Sequence, residues 1–152
     1  MKQRGLVCVI CTLLVLLLSA CIDRERPVDK EKLLGYDFRL FQGTIALDLA
    51  KAVQDQDISR IKYEVETMGI PVDYKEDKFG GTLLMLAVRT NKTESVKALL
   101  ELGANPNEPN DTIRNFGRNA VLFASKFSRV SPKILKMLLE HGGNPNSVER
   151  GV

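Results

Sequence analysis

Side chains able to do chemistry are few in this 152-residue chain, and their spacing argues against most of it. The three cysteines are Cys8, Cys11 and Cys21, and the single histidine is His141. A Cys-x-x-Cys pair could be a redox couple or half of a zinc site. Here, however, Cys8 and Cys11 fall inside an apolar run from Leu6 to Leu18 that has the character of a leader segment. His141 ends an apolar helical pattern beside Gly142, where a cation suits the negative end of a helix. Gly80-Gly81-Thr82 lacks the lysine and the preceding strand of a phosphate loop. The acidic residues are scattered with no spacing that favours a metal. The chain therefore predicts no catalytic residues, no metal, no cofactor and no small-molecule substrate: it is expected not to be an enzyme.

The beginning of the chain carries the clearest processing signal. Lys2 and Arg4 precede the apolar run, and the small residues Ser19 and Ala20 precede Cys21, a secretory layout too short to span a bilayer comfortably. Leu18-Ser19-Ala20-Cys21 resembles the lipobox of bacterial lipoproteins. That resemblance implies a signal peptide over 1–20, lipidation of Cys21, with palmitate among the acyl chains, and a protein held on a membrane without being embedded in it. Cys8 and Cys11 would leave with the signal, so no disulfide or thiolate site would remain. Ile22 stands where some bacteria read an aspartate as an inner-membrane retention signal, which points to the outer membrane facing the periplasm. Of 22 basic residues only Lys2 and Arg4 would be lost, leaving 20 against 19 acidic ones. A net charge so close to zero gives no argument for nucleic acid.

The rest of the chain reads as stopped and capped helices. From Gly80, Thr82 can cap a short apolar helix, Asn91 can end it, and Thr93 can cap a second whose Val96, Leu99 and Leu100 fall on one face. Gly103 supplies a left-handed close. The pattern returns: Asn119 to Phe127 forms the next opening, Ser131-Pro132 the next cap, and Leu135, Leu138, Leu139 and Gly142 the next close. Gly103-Ala104-Asn105-Pro106-Asn107 and Gly142-Gly143-Asn144-Pro145-Asn146 are the most specific repeat of one another. A weaker copy comes first, with helices from Thr44 or Ile45 to about Gln54 and from Ile58 to Met68, capped at Asp57, and closing at Gly69. Its outward face is expected to carry Lys51, Gln54, Arg60, Lys62 and Glu64.

These residues resemble the ankyrin repeat family. Gly80, Thr82, Leu84 and Ala87 match its opening, and Leu99, Leu100, Gly103, Ala104 and Asn107 its close. Leu83, Met85 and Asn119 depart from the family's Pro, His and Thr, which implies fewer ties between neighbouring turns. The resemblance implies an all-α solenoid of about three helix pairs with projecting hairpin loops, the repeats lying at about 44–73, 80–107 and 117–146 of a domain over 37–152. Residues 21–36 are expected to form the lipidated end and a tether. The apolar Leu33, Leu34, Tyr36, Phe38, Leu40 and Phe41 are too many for a free spacer, so the latter part should fold back over the first repeat.

In this architecture the function is to bind another protein. The fingers, about 72–81 and 107–118, contribute Lys78, Phe79, Asp111, Arg114 and Phe116, and the inner helices contribute Arg89, Thr90, Lys126 and Arg129. Phe79 and Phe116 either anchor a partner or pack under their own hairpins; the sequence leaves both open. The basic inner face suits a partner with an acidic surface. Small envelope lipoproteins of this build resemble immunity proteins that neutralise a secreted toxin acting in the periplasm, such as a lipase-type effector; the alternative is a non-inhibitory envelope scaffold or chaperone-like adaptor.

Overall fold

The computed structural model describes residues 26–110 and 117–148. Among the described residues six α-helices follow one another in antiparallel pairs: α1 (Leu47–Asp55) with α2 (Ile58–Lys62), α3 (Leu83–Arg89) with α4 (Thr93–Glu101), and α5 (Ala120–Lys126) with α6 (Pro132–Glu140). The inner helices α1, α3 and α5 stack in one row, and α2, α4 and α6 in a second. Helix α2 is prolonged by a wider turn, Tyr63–Thr67, in which the Met68 amide reaches the Tyr63 carbonyl five residues back at 3.0 Å.

The stacking explains the composition of each helix. Leu83 to Val88 are all buried because α3 has a neighbour on both sides, so a helix of seven residues can be apolar all round. Outer helices face water on one side and keep a narrower stripe, Val96, Ala98, Leu99 and Leu100 in α4 and Ile134, Met137 and Leu138 in α6. The predicted ends hold except at Thr93. Thr82 Oγ1 accepts from the Met85 amide, Asp57 from Arg60 and Ser131 from Lys133, and Gly69, Gly103 and Gly142 take the left-handed conformation.

Asn119 also caps its helix, accepting from the Leu122 amide at 2.8 Å. The departure from threonine therefore costs the opening turn little, since either oxygen satisfies the orphan amide. Thr93 is not a cap: it is the first residue of α4, which starts after Lys92 with no side-chain cap of its own. The Glu94 amide is taken instead by Gln56 Oε1 of the preceding pair at 3.2 Å. Glu64 does not belong to the outward face. It is buried, and its carboxylate meets the Arg60 guanidinium at 2.6 Å.

Side chains cross both junctions at matching positions. On the helical-turn side, Gln56 accepts from Glu94 N and Asn91 from Ser131 N, both donated by the next repeat; Gln56 and Asn91 are also the two non-glycine residues with positive φ among the described residues. On the finger side, Asp73 accepts from Asn105 N, with 3.1 Å to each oxygen, and Asn107 accepts from Asn144 N at 2.7 Å. Asn107 also donates to the Gly142 carbonyl at 2.8 Å.

Residues 26–41 lie against the stack. Phe41 and Leu40 are buried beside α1, and the Gln42 side chain accepts from Val28 N and donates to the Arg26 carbonyl. The folding back expected near Leu33 to Phe41 thus begins earlier. Within the span assigned to a tether, residues from Arg26 on are tied to the repeats.

Candidate protein-binding surface

The first finger is built around a buried carboxylate. Glu76 accepts from the amides of Lys78, Phe79 and Gly81 at 2.7–3.1 Å, which closes the hairpin into a fixed knot. Three amides aimed at one anion neutralise it without a salt bridge. The knot sends the Lys78 ammonium toward residues 30–33, where it donates to the carbonyls of Lys30 (2.9 Å), Glu31 and Leu33 (3.1 Å). Lys78, expected at the partner surface, is therefore engaged within its own chain. Phe79 packs against the core under the hairpin, with the Lys78 ammonium 4.9 Å from its ring centre. Of the two readings the sequence left open for it, the structure adopts the packed one.

Arg129, expected on an inner helix, lies in the turn after α5, because that helix stops at Lys126; it and Arg89 of α3 come together differently. The Arg89 guanidinium lies 5.0 Å from the centre of the Phe123 ring, across the junction between α3 and α5. Arg129 lies over the same ring at 5.8 Å and over Phe127 at 5.5 Å. The two rings are themselves stacked, 4.3 Å between centres. Burial pulls the Arg89 pKa below the ordinary arginine value, and the nearby positive charges of Arg129 and Arg118 push the same way against an opposing pull from Glu76. Its guanidinium remains charged all the same, as arginine does in proteins. Its Nε is buried with no hydrogen-bond partner.

Thr90 spends its hydroxyl on the Leu86 carbonyl at 2.7 Å, and Lys126 is exposed at the end of α5. Asp111, Arg114, Phe116 and Cys21 lie outside the described residues. Phe123 and Phe127 carry the arginine pair and were not among the expected site residues. Phe123 takes in α5 the place that Leu86 takes in α3, so the sequence reads it as an ordinary apolar position of the repeat and gives no signal that joins it to Arg89.

No other chemistry converges nearby. His141 is exposed, and its Nδ1 donates to the Met137 carbonyl at 2.8 Å, a local close to α6. Among the described residues, no group of three or more His, Cys, Asp or Glu side chains comes together as a metal would need, and no helix is long and apolar enough to cross a membrane. A cleft of about 250 Å³ beside Asn107, Asn119 and Asn144 is walled by amides already bonded to the backbone or to the Ser147 hydroxyl.

A family model for ankyrin repeats, in three copies, matches residues 45–149. The chain belongs to the ankyrin repeat family. Ankyrin repeats are protein-interaction modules, and this all-α repeat solenoid is one of them. It is 31% identical over 101 residues to a putative ankyrin repeat protein of Rickettsia bellii, covering 65% of this chain and 14% of that protein. It is 40% identical over 72 residues to the human transient receptor potential cation channel subfamily A member 1, covering 47% of this chain and 6% of the channel. The same number of residues is 36% identical to cyclin-dependent kinase inhibitor 2A of Monodelphis domestica, covering 47% of this chain and 38% of the inhibitor. The chain thus spans well under half the length of each of these relatives. No solved structure matches it.

Proposed function

We propose that this ankyrin repeat chain is a lipid-anchored binding module of the bacterial envelope that neutralises a secreted, periplasm-acting toxin by covering it. The carrying observation is the pair of guanidinium groups on Phe123, a fixed cationic surface suited to an acidic partner. Inhibition by occlusion asks only for such a rigid surface. No reactive group is needed. The Leu18-Ser19-Ala20-Cys21 motif supports the anchor, which would keep the inhibitor where its target attacks. The neutralising role rests on the likeness to small envelope immunity lipoproteins, and a lipase-type effector is the partner class that likeness suggests.

The experiment pairs the gene with toxin genes beside it. Deletion should sensitise cells to one neighbouring toxin, wild-type chain should restore resistance, and the two purified proteins should form a one-to-one complex. Unchanged sensitivity to every neighbouring toxin would overturn the reading. For the anchor, a palmitate analogue should label the wild type and not Cys21→Ser; equal labelling of the two would count against it.

A further inference from the structure

The arginine pair, Arg89 at the end of α3 and Arg129 in the turn after α5, is not a bare patch, because the N-terminal segment adjoins Arg89 at Gly35. The Arg89 guanidinium lies near both the Phe123 ring and Gly35. A Cβ at Gly35 would come within 2.6 Å of Arg89 Nη1 and 2.9 Å of Cζ, so a side chain there would displace the guanidinium from this seat. On either side of Gly35, Leu34 and Tyr36 turn outward, 57% and 44% exposed. The register of this segment is set at a distance: Lys78 grips the carbonyls of Lys30, Glu31 and Leu33, and Asp37 closes the next turn through Arg39 at 2.7–2.9 Å.

The charges in this place are unbalanced. Arg89 and Arg129 share the Phe123 ring, and among the described residues neither makes an ion pair. Glu76, the acid that bears on Arg89, has committed its oxygens to three amides. Two guanidinium groups held against one ring repel each other, and a carboxylate arriving between them would relieve that repulsion and accept in the fork geometry that arginine offers. Exposed apolar side chains beside such a point exclude water around it and strengthen the charged contact.

We propose that Arg89 and Arg129, with Leu34 and Tyr36 of the N-terminal segment, form one composite site for a carboxylate side chain flanked by apolar residues on a partner protein. The inference rests on the protein-binding reading above and deepens it: the segment before the first repeat belongs to the binding surface. Gly35 and Lys78 are positioning residues that touch no partner.

The test uses the chain from Cys21 onward, non-acylated, and the peptide acetyl-Gly-Leu-Glu-Leu-Gly-amide with its Gln counterpart as probes, followed through the Nε–Hε resonances of the arginines. The Glu peptide should shift Arg89 and Arg129 saturably at millimolar concentration, and the Gln peptide should not. Arg89→Gln should weaken binding about tenfold, and Gly35→Ala or Lys78→Met about threefold through loss of preorganisation. A backbone amide spectrum that stays dispersed in each variant separates these effects from unfolding. No response to the Glu peptide, or an equal response to both, overturns the carboxylate site. Full affinity in both folded Gly35→Ala and Lys78→Met overturns the part assigned to the N-terminal segment. A toxin complex indifferent to Arg89→Gln would sink this proposal and leave the neutralising reading standing. Peptide binding without any toxin partner would do the reverse.

Discussion

At the first junction of the stack the finger-side reach is made by a carboxylate, Asp73 on the Asn105 amide; at the second it is made by a carboxamide, Asn107 on the Asn144 amide and the Gly142 carbonyl. A carboxylate can only accept, so Asp73 brings a charge into a half-buried place where one amide answers it. An amide both accepts and donates, and it carries no charge. Burial raises the Asp73 pKa, the Asn105 amide pulls it down, and Glu108 pushes it up again; the net shift is upward. Lys75 compensates in part, meeting Glu108 at 2.5 Å and the Pro109 carbonyl at 2.9 Å. The first junction is therefore held by a group of charges, and the second by neutral bonds. A repeat architecture accepts either, because each interface contributes its own increment of stability.

The comparison breaks most severely at Glu76, which supports the first junction from the finger. Glu76→Ala leaves three amides without their acceptor and should lower the unfolding free energy by about 3 kcal/mol in urea titration. Loss of the knot should also free Lys78 and expose residues 26–36 to faster amide exchange. At the second junction, Asn107→Ala removes both an acceptor and a donor, an expected loss of about 1–2 kcal/mol by the same titration.

Exchanging the two chemistries sharpens the contrast. Asn107→Asp keeps the acceptor for Asn144 and sets an oxygen against the Gly142 carbonyl, at a cost of about 1 kcal/mol. Asp73→Asn should do the opposite and stabilise slightly, by about 0.5 kcal/mol at neutral pH. The sign with pH follows from the raised Asp73 value. Folding disfavours its charged form at neutral pH, and that deficit vanishes as pH falls through the folded value toward the ordinary aspartate range. The advantage of Asp73→Asn, read as a difference in thermal midpoint, should thus shrink on acidification; a gap that widens would refute the assignment.

Much of this framework is legible in the sequence, for a local reason. Thr82, Asp57 and Ser131-Pro132 each act within three residues of themselves, and the apolar stripes repeat at helical spacing, so pattern alone finds them. What escapes is side-chain reach across the chain. Gln56 caps a helix 38 residues on, which leaves Thr93 inside that helix, and Lys78 takes carbonyls 45–48 residues back. Glu64 reads as a surface acid until the wide turn after α2 buries it against Arg60. At the candidate surface, Arg89 and Arg129 were legible as basic positions. Their shared ring was not, because Phe123 reads as one more core residue until the stack places it beside them.

The bonds that fix Arg26 onto Gln42 also set a length. From Cys21 to Arg26 there are five peptide steps, and an extended chain gains at most about 3.6 Å in each. A protein acylated at Cys21 would ride on a leash of roughly 18 Å, shorter than the width of many small domains. Under the proposed function, its target would have to come close to the lipid surface to be reached.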